Sequence, residues 1–237
     1  MSPVTNAMLN ARREKDCTDI IIERKYFRVD GSFVKRSLRP HEWQHSSLCI
    51  PRLGNERLLN EAAALRFIAK NIDIPVPKLY VCFEDDGAAY LIMEYVDGVL
   101  MADLEVEKRK TVKTELEVHV ATLRKLQSNL WGGPSGLVVP PYRLLKHPVR
   151  VQWAMKPREV KDLVFCHNDL SAHNVIVDPE TLKVRAIVDW EYAGFFPQEF
   201  EGMFFRRPGP SVALDGEVND EEQLLKIMYE NEQDGPL

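Results

Sequence analysis

Residues 165–191, FCHNDLSAHNVIVDPETLKVRAIVDWE, decide the reading of this chain. Two short apolar runs, 175–177 and 184–188, flank the turn residues DPET and read as a pair of strands. Polar groups gather at their ends. Asp169 and Asn174 stand five residues apart before the first strand, a step that suits a loop turning back on itself. Asp189 follows the second strand. A carboxylate at the start of such a loop can take a proton from a hydroxyl. An Asn and an Asp offer hard oxygen ligands of the kind Mg²⁺ takes together with phosphates and water. One proton acceptor and two metal ligands facing a polyphosphate is the arrangement phosphoryl transfer requires. Two other readings fit the same residues. The polar groups could merely cap turns and end loops, or Cys166, His167 and His173 could hold zinc, although no second ligand pair stands nearby.

Outward from this stretch, the chain divides in character. Residues 18–36 read as strands around Asp30-Gly31, a two-residue hairpin signal, and 79–84 with 89–93 form a second hairpin across DDGA. Between them, 55–71 reads as a helix with Asn55 as N-cap and Leu58, Ala62, Leu65 and Ala69 at helical spacing. Prolines 75 and 77 then break it. Later residues are more helical: 111–127 carries Val112, Leu116, Val120 and Leu123 on one face, and 219–230 begins with Asn219 and Glu222 spaced as a capping box. Segment 148–163 is ambiguous, and EVEKRK at 105–110 reads as a loop or a solvated helix face. Strands early and helices late make an α+β pattern of two unlike lobes. It divides into an extension at 1–17, a lobe at 18–96 and a second lobe at 97–237, with EYVDGV at 94–99 as the boundary.

A second pair stands out. Alternation in SFVKR puts Phe33 and Lys35 on one face of a strand, and Glu61 lies on the helix side that carries Leu58, Leu65 and Ile68. A carboxylate on an apolar stripe needs a partner, because an unpaired buried charge is costly. Pairing with Lys35 would fix an ammonium where phosphates bind, and a carboxylate reaching to solvent at the stripe's edge is the alternative. The strand LIMEYVDG ends in a connector able to offer backbone groups to a flat base in an apolar cleft.

Composition narrows the class. The 237 residues carry 31 Lys and Arg against 36 Asp and Glu, a net charge of -5, and 45% are apolar. This is ordinary for a soluble globular protein, and the acidic balance argues against DNA, RNA or tRNA as a main partner. Cys17, Cys49, Cys82 and Cys166 form no C-x-x-C and read as free thiols. With no apolar segment of signal-peptide or membrane-span character, the expected location is the cytoplasm, with no membrane contact. Trp43, Trp131 and Trp153 read as core anchors, and His41, His45, His119 and His147 stand apart from any metal spacing.

Taken together, HNDLSAHN at 167–174, IVDWEYAG at 187–194, FVKR at 33–36, NEAAALRFI at 60–68, IPVPKLY at 74–80 and LIMEYVDG at 91–98 resemble the aminoglycoside phosphotransferase and choline kinase branch of the protein-kinase-like fold, and in particular its fungal members. The resemblance covers about residues 18–200. It implies a small strand-rich N-lobe, a reduced helical C-lobe, ATP or GTP with Mg²⁺ as cofactors, and a small-molecule hydroxyl as acceptor. It implies Asp169 as catalytic base, His167 as the brace of its loop, and Asn174 and Asp189 as metal ligands. Lys35 would contact phosphates and pair with Glu61, Glu94, Tyr95 and Val96 would form the hinge against the base, and Glu191 would be structural. The chain departs from the family in having no glycine in DIIIERKYFRV before Lys35, Ser171 where a His is common, and short segments between GGPSG and FCHNDL and after residue 200. These departures leave room for a non-catalytic module of the same fold, or for transfer of a nucleotidyl or aminoacyl group. The lack of an Ala-Pro-Glu-like anchor argues against a protein kinase.

Overall fold

The computed structural model describes residues 6–43, 52–145 and 152–233. Its first layer is an antiparallel sheet in the order β1-β2-β3-β5-β4, built from β1 (Cys17–Ile20), β2 (Arg24–Val29), β3 (Ser32–Ser37), β4 (Leu79–Asp85) and β5 (Ala88–Glu94). The β2–β3 hairpin turns on Asp30 and Gly31, both at positive φ (44° and 77°), as the Asp-Gly signal requires. The β1–β2 connection is equally tight: the Ile21 N–H donates to the Arg24 carbonyl at 2.9 Å, leaving only Ile22 and Glu23 at the tip.

Helix α2 (Gly54–Asn71) packs on this sheet with Leu58, Ala62, Leu65 and Ile68 buried. Asn55 is not its N-cap. The cap residue is Leu53, in the left-handed region, and the Asn55 side chain instead accepts from Ser37 Oγ (2.6 Å) and the Ala89 N–H (3.2 Å). The sheet recruits the amide that local spacing assigned to the helix. A short helix α1 (Asn6–Asn10) docks through Leu9, which clusters with Cys17 and Ile20, and Glu14 binds Lys25 and Arg36 at 3.0 Å.

Beyond Glu94 come β6 (Val99–Leu100), α3 (Val106–Leu123), β7 (Gln127–Ser128), α4 (Tyr142–Leu145), β8 (Leu163–Cys166), β9 (Val175–Val177), β10 (Val184–Ile187), β11 (Gly194–Phe196) and α5 (Glu221–Glu230). They form two further sheets, β10-β9-β6 and β11-β8-β7. Helix α3 begins at Val106 rather than 111, because the charged EVEKRK segment supplies its first turn, and it ends at Leu123 rather than 127. Val112, Leu116, Val120 and Leu123 are all buried. Helix α5 lacks the expected capping box: Asn219 Oδ1 accepts from the Glu221 N–H at 2.9 Å, and Asp220 makes no side-chain cap. Residues 152–162 are mostly irregular, while Cys49, His45 and His147 lie outside the described residues.

One apolar core joins the layers. It runs from Leu58, Leu65 and Ile68 of α2 and Leu91 and Met93 of β5, through Val112 and Leu116, to Val175, Ile187 and Trp190. A second cluster, with Trp131, Trp153, Phe196 and Phe200, lies under β8 and β11. Among the described residues no helix is long and apolar enough to cross a membrane.

Candidate active site

The β9–β10 hairpin decides where the polar groups meet. Val175 pairs with Ile187, and the Val188 N–H donates to the Asn174 carbonyl at 3.0 Å, so Asn174 and Asp189 emerge side by side. The loop before β9 closes on itself: the Ser171 N–H reaches the Asp169 carbonyl (2.9 Å), the Asn174 N–H reaches the Ser171 carbonyl (3.1 Å), and Ser171 Oγ accepts from the His173 N–H (3.3 Å). Asn174 Nδ2 donates to the Asp169 carbonyl at 2.7 Å and to its carboxylate at 3.1 Å. With the amide nitrogen so engaged, its oxygen is the atom available to a metal. Together with the Asp189 carboxylate, whose side chain is 38% exposed, it makes a hard-oxygen pair that suits Mg²⁺.

His167 braces this loop. Its Nδ1 accepts from the Asp169 N–H at 3.2 Å, so the proton sits on Nε2, which donates to the Val188 carbonyl at 2.9 Å. Its ring lies 4.4 Å from that of Trp190. Burial pushes the imidazole down to about 4, and it stays neutral. Both ring nitrogens are therefore occupied, and Cys166 is buried with its thiol toward the Val164 carbonyl. Among the described residues no cluster of His, Cys, Asp or Glu can hold a metal by itself, which removes the zinc reading. Burial also drives the Asp169 carboxyl up to about 7. Ser211 and Asn174 pull against the rise, and the charges of Asp189 and Glu191 add to it.

Lys35 and Glu61 meet. The Lys35 ammonium lies 2.7 Å and 2.9 Å from the two Glu61 oxygens, and Glu61 is fully buried. Lys35 also contacts the Asp189 carboxylate, so one ammonium links β3, α2 and the end of β10. Burial opposes its charge, but Asp189 and Glu61 outweigh burial and raise its pKa, while burial pushes the Glu61 carboxyl up to about 6.

A cleft of about 490 Å³ opens in front of Lys35 and Asp189, with Tyr26, Phe33, Met93 and Ile176 among its walls. Glu94, Tyr95 and Val96 line one side. The Glu94 N–H is donated to the Lys78 carbonyl (2.9 Å) and the Tyr95 N–H to the Gly31 carbonyl (2.8 Å). The Arg28 guanidinium lies 3.6 Å above the Tyr95 ring. The tight β1–β2 turn brings Ile21 to the cleft and contains no glycine-rich run of amides.

Three groups that local spacing did not reveal support the site. Arg24 and Arg57 both bind the buried Glu191 carboxylate, Arg57 at 2.7 Å and 3.2 Å. Burial would raise that carboxyl, yet the two guanidiniums hold it well below the usual range. Glu201, also buried, accepts from the backbone N–H groups of His167 and Asn168. Ser211 lies against Asp169. The one available signal was Arg57, four residues before Glu61 on the same apolar stripe of α2.

The comparisons with known proteins follow this geometry. Residues 140–203, which hold Asp169, Asn174 and Asp189, match the family described as the phosphotransferase enzyme family. Ethanolamine kinase 2 of Mus musculus is 28% identical over a stretch covering 53% of this chain and 36% of that protein, and the Rattus norvegicus protein gives the same figures. The match thus spans about a third of the length of these curated relatives. Two solved structures share the fold. One is aminoglycoside phosphotransferase APH(3'')-Id from Streptomyces rimosus (TM-score 0.51, 16% identity, covering 74% of this chain and 70% of that one). The other is aminoglycoside phosphotransferase APH(4)-Ia (TM-score 0.51, 15% identity, 76% and 66%). These two structures share the protein-kinase-like α+β fold of this chain, and residues 140–203 are similar to the phosphotransferase enzyme family.

Proposed function

We propose that the protein is a small-molecule kinase that moves the γ-phosphoryl group of ATP or GTP to an alcohol. The observation that carries this reading is that the β9–β10 pair sets Asn174, bonded to Asp169, beside Asp189, bonded to Lys35, with Lys35 and Asp189 lining the cleft. In it, the base lies along Glu94, Tyr95 and Val96, the hinge between segments 18–96 and 97–237. Lys35, held by Glu61, contacts the phosphates. The Asn174 and Asp189 oxygens hold Mg²⁺, which neutralises charge on the phosphates when bound. Asp169 accepts the proton of the acceptor hydroxyl, and His167 fixes the loop that carries Asp169. The free thiols of Cys17, Cys82 and Cys166 suit a reducing cytoplasm.

The test is release of nucleoside diphosphate with Mg²⁺ and ATP or GTP over a panel of small alcohols that includes ethanolamine. We expect at least one alcohol to stimulate release, and Asp169→Asn to lower the stimulated rate by about 10²- to 10⁴-fold with the fold intact. An Asp169→Asn protein as active as wild type contradicts the assignment. The glycine-free β1–β2 turn favours a second reading, a nucleotide-binding module without turnover. Binding of Mg²⁺–ATP with no diphosphate release over the whole panel would favour it.

A further inference from the structure

The five-stranded sheet ends in an open edge. β4 is its last strand and pairs only with β5, so among the described residues no strand meets its other side. An edge of this kind offers unpaired N–H and C=O groups, and soluble proteins blunt it with proline, lysine or a covering segment. β4 holds no proline and no lysine. Past the register shift between Leu79 and Val81, its side chains alternate. Cys82 turns to α2, its sulfur 4.0 Å from the Leu58 carbonyl, and so does Glu84, which accepts from Asn55 Nδ2 at 3.1 Å. Val81 and Phe83 therefore point to the opposite face, where they are 40% and 41% exposed. Phe83 stacks on Tyr90 of β5, with ring centroids 4.9 Å apart.

Charge along this edge is polarised. Exposed Lys78 stands at its start, with Arg66 and Lys70 of α2 around the same surface hollow. These three cations form no ion pair among the described residues. Exposed Glu84, Asp85 and Asp86 stand at its end, and of these Asp86 is met by Arg39 at 3.0 Å. Turned end for end, the edge therefore matches itself, as a two-fold interface requires. With the axis at Cys82, Val81 lies opposite Phe83 of the second copy on the outer face, twice over, a favourable β-branched–aromatic pair. The same register sets Lys78 opposite Asp86 of the second copy, also twice. An axis at Val81 would instead set Phe83 opposite Leu79, which packs on the core, and an axis at Phe83 would set Val81 opposite Asp85.

We propose that two copies of this chain pair through β4, antiparallel about Cys82, and join their five-stranded sheets into one. Backbone hydrogen bonds along the edge hold the copies together, and the Val81–Phe83 contacts exclude water from its outer face. The opposed charges at the two ends fix direction and register, since a parallel or slipped pairing sets like charges together. No residue of β4 lines the cleft, so each copy keeps its own, and the pairing holds whether or not the chain transfers phosphate.

The test is sedimentation velocity of the full chain over a range of protein concentrations, at low and at high salt, with thermal unfolding to show that each variant is folded. We expect a dimer that forms with rising concentration and weakens with salt. Val81→Lys should abolish it. Lys78→Glu and Asp86→Lys should each weaken self-association about tenfold, because each sets like charges opposite one another at both ends. An equimolar mixture of those two variants should regain the dimer, since one of its end contacts is then the wild-type pair and the other is that pair reversed. A wild-type chain that stays monomeric at every concentration overturns the pairing and leaves the edge to some other partner. A dimer that survives Val81→Lys lies on another surface. A mixture that associates no better than its components overturns the antiparallel register.

Discussion

Glu201 carries a charge the fold does not favour. Its carboxyl is 6% exposed, and burial pushes it up to about 7, although the His167 and Asn168 amides and the charges of Arg143 and Arg124 pull it down. A carboxyl whose folded pKa exceeds its unfolded value contributes stability that is fully present below the unfolded value and is lost as pH rises through the folded one. The native state binds the extra proton between about pH 4.5 and 7, so ionisation there withdraws roughly 3 kcal/mol. We expect Glu201→Gln to flatten the fall of unfolding free energy between pH 5 and 8, measured by urea titration at each pH. Parallel curves for the two proteins would mean that Glu201 does not titrate as its burial requires. The residue matters beyond stability, because the amides it holds belong to the two residues before Asp169, and Asn168 sits at φ 68°.

At the scale of elements, α2 connects the whole site. Arg57 and Glu61, one turn apart, reach Glu191 and Lys35, and Lys35 reaches Asp189. A single helix therefore fixes both carboxylates of Asp189-Trp190-Glu191. Removing Glu191 leaves the Arg24 and Arg57 guanidiniums buried without their shared partner, a change that costs about 3–5 kcal/mol in comparable buried pairs. Urea unfolding of Glu191→Ala should show a loss of that size, whereas a loss below about 1 kcal/mol, the size expected of an exposed pair, would reduce the cluster to incidental contact. These connections explain what could be read from sequence. Asp30-Gly31, the α2 stripe and the β9–β10 pair are local patterns, and Asp169, Asn174 and Asp189 fall within 21 residues of one another, so spacing alone exposes them. The partners of Glu191 and of the loop amides come from β2, α2 and residue 201, and no local spacing encodes a contact 167 residues apart. Asn55 misled for the same reason: its local preference was to cap α2, and Ser37 and Ala89 outbid it from another element.

For the whole molecule, the continuous core from α2 and β5 to Trp190 means that the cleft walls are parts of one packed body. Such a cleft is largely preformed, and its volume of about 490 Å³ falls in the range of small-molecule sites. A ligand that fills it therefore binds the folded state and stabilises it by mass action. The most direct measurement is the thermal midpoint with and without Mg²⁺–ATP, for wild type and for Asp189→Asn. At a hundredfold excess over the dissociation constant, binding adds about 2.7 kcal/mol to the folded state. The account predicts a clear upward shift for wild type, dependent on Mg²⁺ and lost in Asp189→Asn. A midpoint that does not move in wild type, or that moves equally in the variant, would contradict a metal–nucleotide site built on Asp189.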